Sequence, residues 1–334
     1  MNDKIFKVAL VGCGAIAPNH LKTLTAIENV RIVALCDLKR ERAEKMRDTF
    51  SPDAKIYESY EEMLNSEELY AVHIATPHYL HASMATSALR KNINVFLEKP
   101  VAISNEELNA LIEEEEKSEA KVCVCFQNRF NPSTTVAKAL ADADGGVLSA
   151  YGSVFWCRSI SYYTESGWRG KYATEGGGVM INQAIHTIDL LCEFLGKPLS
   201  VTATKANHHL KDIIEVEDTC EGLITFEGGR RANFYATTSF NGKDATTLYL
   251  VTKNHTIQIQ YSAVYYDGVK IEDPSLVADF CGKECYGNGH QYLINKFYQA
   301  LADGAEMPVQ LKDATYALRV LLAAYKSNDT EIIL

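Results

Sequence analysis

The stretch "VALVGCGAIAPNH" constrains this chain more than any other. It places Gly12-x-Gly14-x-x-Ala17 directly after an apolar run and at the head of an amphipathic one. Gly12 permits a tight turn, Gly14 lets backbone approach a pyrophosphate, and Ala17 lets the helix pack closely on the strand. A bare glycine turn of this kind also occurs in α/β folds that bind nothing. Here the strand-turn-helix context is the required one, and the next apolar run, "RIVALCD", closes on Asp37, roughly 20 residues further on, as a dinucleotide fingerprint expects.

The runs that follow repeat the pattern. "YAVHIAT", "NVFLEKP" and "KVCVCF" alternate with "RERAEKMRDTF", "YLHASMATSALRKN" and "SNEELNALIEEEEK". Short runs rich in Val, Ile and Ala without polar alternation predict parallel strands covered on both faces by helices, a doubly wound α/β domain over 1–126. Ser104, with Glu107 three residues later, reads as a helix start. The glutamate run Glu113 to Glu116 then falls on the solvated face of that helix.

Beyond "NRFNP" the pattern changes to alternating stretches such as "VTATKANHH", "DTCEGLITFEG", "RRANFYATTSF", "DATTLYLVT" and "HTIQIQYS". These predict an antiparallel sheet with one dry and one wetter face. Three helical segments accompany it: "VMINQAIHTIDLLCEFLG", "HQYLINKFYQALADG" and "DATYALRVLLAAYKS". The expectation is a second, α+β domain over 127–334 with an open, mostly antiparallel sheet. An uncovered sheet face invites a partner, so a homo-dimer or homo-tetramer joined through it is expected.

The 334 residues are 47% apolar and 23% charged, enough to bury a core in each domain. A net charge of -10 argues against nucleic acid or an anionic membrane as partner. No apolar run approaches a membrane span, and "MNDKIFKVALVG" enters its first strand without a secretory leader, so a cytoplasmic protein is expected. Nine cysteines, mostly in apolar segments, suit reduced and buried thiols. "CGKEC", with Cys281 and Cys285, lacks the second pair of a zinc clip, and His78 and His81 lack a third ligand; no metal is expected.

Asp37 would accept hydrogen bonds from the adenosine ribose hydroxyls and repel a 2'-phosphate, which favours NAD. Lys39 and Arg40 could reach such a phosphate and keep NADP open. The turn residues Ala15 and Ile16 belong to the same cofactor site. Two later strands end in Thr76, Pro77, His78 and in Glu98, Lys99, Pro100, at the carboxyl edge where open α/β sheets bind ligands. Lys99 is thereby expected at the cofactor crevice, its backbone held extended by the proline that follows.

The GxGxxA turn, "ATPHYLH", "EKP" and "GGGVMINQAIHTID", in that order, resemble the Gfo/Idh/MocA family of nicotinamide-dependent oxidoreductases over essentially the whole chain. The resemblance implies an N-terminal Rossmann domain, an open-faced C-terminal sheet, and oxidation or reduction of a carbinol on a sugar, inositol or related polyol. "WRGKYATEGGGVMINQAIHTIDLL" and "YGNGHQYLINKFYQAL" look most like the branch that includes nucleotide-sugar 3-dehydrogenases.

Oxidising a secondary alcohol removes a hydride and a proton within one geometry. Lys99 is the candidate base, since desolvation beside the charged nicotinamide ring favours its neutral amine. Asn182, His186 and Asp189 recur at i, i+4 and i+7 and could share one helix face. The family pattern GGxxxDxxxHxxD assigns His186 to substrate binding or proton relay. This sequence departs from that pattern by placing Asn182 where Asp is common. Asn can hydrogen-bond a hydroxyl but cannot take its proton, which leaves the acid-base work to Lys99 and His186. Asp189 is read as a brace for the helix against a backbone group.

Arg129 and His290 join the candidate substrate contacts, as does Tyr163, for which packing is an equal reading. Asn128 is placed with the cofactor, and the resemblance implies the same for Trp168 and Arg169. Besides a sugar or nucleotide-sugar dehydrogenase, the chain could act on an inositol, an anhydro-sugar or a dihydrodiol, or could serve as a non-catalytic NAD or sugar sensor.

Overall fold

The computed structural model describes residues 5–276 and 287–334. The "CGKEC" segment lies outside them. The chain divides into two compact units: residues 1–126 with 290–314, and residues 127–289 with 315–334.

In the first unit six short strands form one parallel sheet: β1 (Phe6–Val11), β2 (Val30–Cys36), β3 (Lys55–Tyr57), β4 (Ala71–Ile74), β5 (Asn94–Leu97) and β6 (Val122–Val124). Their order, β3-β2-β1-β4-β5-β6, reverses direction beside β1. That reversal creates the crevice in which doubly wound folds bind ligands. Strands β1, β4, β5 and β6 are buried nearly throughout, as sheets covered on both faces must be. Ser59 and Ser104 cap the helices Tyr60–Ser66 and Asn105–Lys117 by accepting from the backbone N–H of Glu62 and Glu107. The Glu107 carboxylate reaches back to the N–H of Ile103 at 3.0 Å.

The sequence division at 126 omits one piece of this unit. Helix Gly289–Asp303 returns and buries Phe297 and Tyr298, which pack on Phe96 and His73. The N–H of Val124 then donates to Val309 O at 3.1 Å, extending the sheet's edge. Local pattern cannot reveal that a helix more than 160 residues downstream completes the layer over β4 and β5.

The second unit carries a nine-stranded sheet: β7 (Ser149–Phe155), β8 (Pro198–Ala206), β9 (Thr219–Phe226), β10 (Arg231–Thr237), β11 (Ala245–Val251), β12 (Thr256–Gln260), β13 (Ala263–Tyr266), β14 (Val269–Lys270) and β15 (Ile332–Ile333). Its order is β14-β13-β12-β11-β7-β10-β9-β8-β15, antiparallel except where β7 meets β10. Central β7 has no strong sequence signature because its covered face is Ala150, Gly152 and Val154. A side chain at Gly152 would overlap the Thr187 methyl group of the helix lying on that face. Its other face bears Tyr151 and Phe155, which with Tyr235, Phe240 and Tyr249 make an aromatic patch.

The segment "VMINQAIHTIDLLCEFLG" is not one regular helix. Met180–Ala184 forms a π-turn, and the α-helix runs from Ile185 to Leu195. Glu217 explains the irregular entry, since its buried carboxylate accepts from the N–H groups of Gly178 (2.9 Å) and Met180 (3.0 Å) and from Tyr325 Oη (2.9 Å). Gly178 has to be glycine, because a Cβ would overlap the Glu217 carbonyl oxygen.

Replacing Ser104 by Ala removes the cap acceptor and is expected to lower unfolding free energy by about 1 kcal/mol, read from urea denaturation. An unchanged midpoint would show that the cap bond contributes nothing.

Candidate active site

Gly12 adopts φ +90°, and a Cβ there would overlap the carbonyl oxygen of Ala75 at the end of β4. The glycine turn therefore touches the neighbouring strand's carboxyl end directly. Gly14 has nothing within 4 Å of the place its Cβ would occupy. A cradle open at one glycine and closed at the other suits a pyrophosphate approaching the backbone. Asp37 is fixed at the end of β2, accepting from Cys13 N at 2.9 Å and from Lys39 N at 2.8 Å. A carboxylate has about four acceptor positions, so two remain for a ribose diol. The guanidinium of Arg40 pairs with Glu44 (3.0 Å) and Glu58 (3.3 Å) and so answers carboxylates of its own unit. These residues fit NAD.

At the next two strand ends the unit builds a buried polar hub that sequence reading did not find. His20 Nε2 lies 2.9 Å from Glu98 Oε1, His20 Nδ1 lies 2.9 Å from His73 Nδ1, and His73 Nε2 lies 2.9 Å from Tyr298 Oη. With Glu98 ionised and both rings neutral, the donors are fixed. Tyr298 donates to His73, His73 to His20, and His20 to Glu98. His290 Nε2 approaches the same Glu98 oxygen at 3.6 Å, and the Cys125 thiol hydrogen-bonds this carboxylate too. Burial would raise the Glu98 pKa, but hydrogen bonds from His20 and His290 outweigh it and hold the group well below the usual carboxylate range. Burial likewise drives His73 well below its ordinary value, in keeping with a neutral ring.

His20, Glu98, Cys125 and His290 present ligand atoms within 4.8 Å of one another, the arrangement among the described residues in which metal-binding side chains gather. Its shortest link, at 2.9 Å, has the length of a hydrogen bond. Glu98 is the carboxylate on which His20 and Cys125 converge, with His290 close by. The effect is to anchor residue 98 and so the strand end from which Lys99 projects.

His81 ties the two strand ends together. Its Nδ1 lies 2.7 Å from Pro100 O and its Nε2 lies 2.8 Å from Thr76 O. His78 is buried beside it, with the two rings 5.9 Å apart. The residues placed in the cofactor site by sequence, Gly12, Gly14, Ala15, Ile16, Asp37, Thr76, Pro77, His78, Glu98 and Lys99, thus stand on the glycine turn and on the ends of β2, β4 and β5. His290, assigned to substrate, lies buried among the Glu98 donors.

In the second unit, His186 and Asp189 open towards different neighbours. His186 Nε2 is 3.5 Å from Gln127 Nε2. Asp189 accepts two hydrogen bonds from Arg129, at 2.9 and 2.6 Å, and Glu193 adds a third carboxylate contact to the same guanidinium at 2.9 Å. The brace predicted for Asp189 therefore exists, against a side chain and not a backbone group. It also engages the Arg129 fork, a candidate for substrate, within its own unit. Tyr163 is buried with Leu210, Ile214 and Val216, and its hydroxyl lies 3.3 Å from Thr238 Oγ1, which favours the packing reading.

Asn182 donates through Nδ2 to Glu175 and, at 3.3 Å, to Tyr162 Oη. Around that tyrosine the arginines stack: Arg169 stands 4.3 Å over the Tyr162 ring and 4.7 Å over Trp168, while Arg158 stands 4.4 Å over Trp156 and 5.2 Å over Tyr162. The Nε atoms of Arg158 and Arg169 and Nε1 of Trp156 are buried with no hydrogen-bond partner among the described residues. Asn128 is partly exposed in the short helix Gln127–Phe130. Arg158 and Glu175 escaped sequence reading; Arg158 had a visible signal in the "WCR" triplet, and Glu175 had one in its place before three glycines.

Residues 6–126 match the Gfo/Idh/MocA oxidoreductase family with NAD-binding Rossmann fold, and residues 135–258 match the Gfo/Idh/MocA C-terminal domain. The chain is 29% identical over 248 residues to oxidoreductase P35 of Formosa agariphila, covering 72% of this chain and 75% of that protein. It is 30% identical over 161 residues to inositol 2-dehydrogenase of Salmonella typhimurium, covering 47% of this chain and 48% of that protein, so it spans about half the length of that relative. Among solved structures, the WlbA dehydrogenase of Bordetella pertussis in complex with NADH and UDP-GlcNAcA aligns with a TM-score of 0.85 at 24% identity, over 99% of each chain. At that identity the likeness is one of fold.

Replacing Asp189 by Ala removes two of the three carboxylate contacts to the largely buried Arg129 guanidinium, Glu193 keeping the third, and is expected to lower stability by about 1.5–3 kcal/mol in urea unfolding. A loss below about 1 kcal/mol would show that the pair does not brace the helix.

Proposed function

This chain belongs to the Gfo/Idh/MocA family of oxidoreductases, and from that premise we propose that it oxidises a ring secondary hydroxyl of a nucleotide sugar or similar acidic sugar, with Lys99 as the acid-base group. It is an NAD-dependent dehydrogenase, and the coarse substrate class is a sugar or polyol. NAD supplies the hydride acceptor. The chain's own residues hold the cofactor, orient the hydroxyl and move its proton.

The observation that carries this reading is the anchoring at residue 98. Three donor side chains on Glu98 and a ring bridge between Thr76 and Pro100 immobilise the end of β5, so Lys99 leaves a rigid strand end next to the glycine turn's own neighbour, β4. A neutral Lys99 amine accepts the hydroxyl proton as the carbinol hydrogen leaves with its electron pair, and in the reverse direction the ammonium returns it. Asn182 hydrogen-bonds the substrate, and His186 binds it or assists the proton's passage.

The acidic substituent is supported by the arginine and tryptophan cluster. Two guanidiniums and an indole with buried, unmatched N–H donors form a site that an anion completes, and phosphate or carboxylate oxygens suit the guanidinium fork. A neutral inositol has no group for it. The aromatic patch on the open sheet face supports pairing of two copies there.

Three outcomes are expected. Lys99→Ala lowers kcat by about three orders of magnitude or more while NAD affinity, measured by fluorescence quenching, stays within about twofold. Turnover like the wild type would remove Lys99 from the mechanism. Arg158→Ala raises KM for a nucleotide sugar by about tenfold and leaves KM for the matching neutral sugar unchanged; equal effects on both would deny the anion site. Sedimentation at micromolar concentration shows a dimer or larger, and a stable monomer would refute pairing through the sheet.

A further inference from the structure

The second unit holds a cavity chemically unlike the arginine and tryptophan cluster described above. It lies between the start of helix Pro132–Ala143, the helix Ile185–Leu195 and strands β11 and β12, and has a volume of about 60 Å³. A buried water needs roughly 10–15 Å³ of such space, so about four to six waters, or one small ring with its hydroxyls, would fill it. Leu190, Leu248, Ile259 and Leu276 make one wall apolar, while Thr187, Thr246 and Asn288 are among the hydroxyls and amides of the rest. Among the described residues no charged side chain lines it.

Asn288 is 9% exposed, and its Oδ1 has no hydrogen-bond partner among the described residues. The backbone is pinned on both sides of it. A Cβ at Gly287, which has φ +55°, would overlap Asn131 Oδ1, and one at Gly289 would overlap the Gln127 carbonyl oxygen. The chain therefore holds a buried acceptor in a fixed place, at the cost that an unsatisfied polar group carries.

The start of helix Pro132–Ala143 supplies the complementary donors. Its N-cap residue, Asn131, makes no side-chain bond to the helix. The amide is engaged elsewhere, Oδ1 accepting from Gly289 N at 2.9 Å and Nδ2 donating to Asn128 Oδ1 at 3.3 Å. Pro132 has no N–H, and those of buried Ser133 and Thr134 belong to the first turn, beyond the reach of any helical carbonyl. The hydroxyls of these two residues donate to Tyr261 O (3.0 Å) and Asn128 O (2.7 Å). Helix N–H donors and one orphaned acceptor thus border the same uncharged space.

A hydroxyl group satisfies both, since it accepts from an N–H and donates to a carbonyl oxygen at once. An anion would find no cation here and would be repelled by the Asn288 oxygen. A nucleobase is ordinarily held by stacking, and among the described residues the lining has a single aromatic side chain, Tyr261. We propose that this cavity binds a small neutral polyol, a six-membered ring whose hydroxyls join Asn288 Oδ1 to the helix start while its C–H face rests on the apolar wall. The inference stands apart from the dehydrogenase reading, because binding here needs neither NAD nor Lys99.

The test titrates the full-length protein with myo-inositol in a calorimeter, without NAD. Saturable binding is expected. N288L keeps the side chain's shape but removes the acceptor, and should weaken binding about tenfold or more, the worth of one hydrogen bond. Its Tm without polyol should equal or exceed that of the wild type, since an unmatched polar atom has left the interior; a fall in Tm would show that Asn288 serves the fold instead. T246L fills the cavity from β11 and should abolish binding with the circular dichroism spectrum unchanged. If T246L does not fold, N288L decides alone. R158A alters only the anion cluster and should bind inositol as the wild type does.

No saturable inositol binding, wild-type affinity in N288L or folded T246L, or a loss of affinity in R158A would each overturn the inference. So would uridine binding in place of inositol with the same dependence on Asn288. Failure of the wild type to turn over any sugar would instead remove the dehydrogenase reading and leave this site untouched.

Discussion

A single buried anion organises the first unit. Glu98 is buried at the carboxyl end of a strand, and an isolated carboxylate there would take up a proton. It remains charged because His20, His290 and Cys125 all turn donors on it. Those donors come from the first helix, the end of β6 and a helix nearly 200 residues later. Satisfying one charge thus draws distant parts of the chain to the same point. The neighbouring residue, Lys99, stands on that anchored strand end, which suits the acid-base role proposed for it.

The arrangement also shows how two kinds of constraint share one strand end. His20 and His73 relay the hydrogen-bond direction from Tyr298 down to Glu98, while His81 works in the plane of the backbone, joining Thr76 to Pro100. Burial lowers the His81 pKa below its ordinary value despite the pull of both carbonyl oxygens. A neutral ring has one N–H and can donate to only one of the two oxygens; bonding both takes a proton on each ring nitrogen. The ring stands within hydrogen-bond distance of both the end of β4 and the end of β5.

Much of this is legible in the sequence. The glycine turn, Asp37 and the strand-end motifs are local, and each depends on backbone geometry that a few adjacent residues determine. The open sheet showed itself through alternation, except at β7, where Ala150, Gly152 and Val154 are small because a helix presses on them. Long-range partnership was not legible. His290 reads as a polar residue near a site, and only the returning helix reveals it as a donor to Glu98. Arg129 reads as a substrate fork, yet Asp189 and Glu193 meet it within hydrogen-bond distance. The π-turn was hidden for the same reason, since its cause is Glu217, more than 30 residues away.

Two buried glutamates show why environment, and not residue type, assigns roles here. Burial opposes the charge on both Glu98 and Glu175, and each accepts hydrogen bonds that favour its anion. Their pKa values nevertheless move in opposite directions. The hydrogen bonds on Glu98 come from two imidazoles and outweigh its burial; those on Glu175 come from a backbone amide and the side-chain amide of Asn182, and together with the charge of Arg169 they do not offset burial and the repulsion of Glu217. A carboxylate meant to hold a scaffold is best kept ionised at every pH the protein meets. The two glutamates stand in different units of the chain.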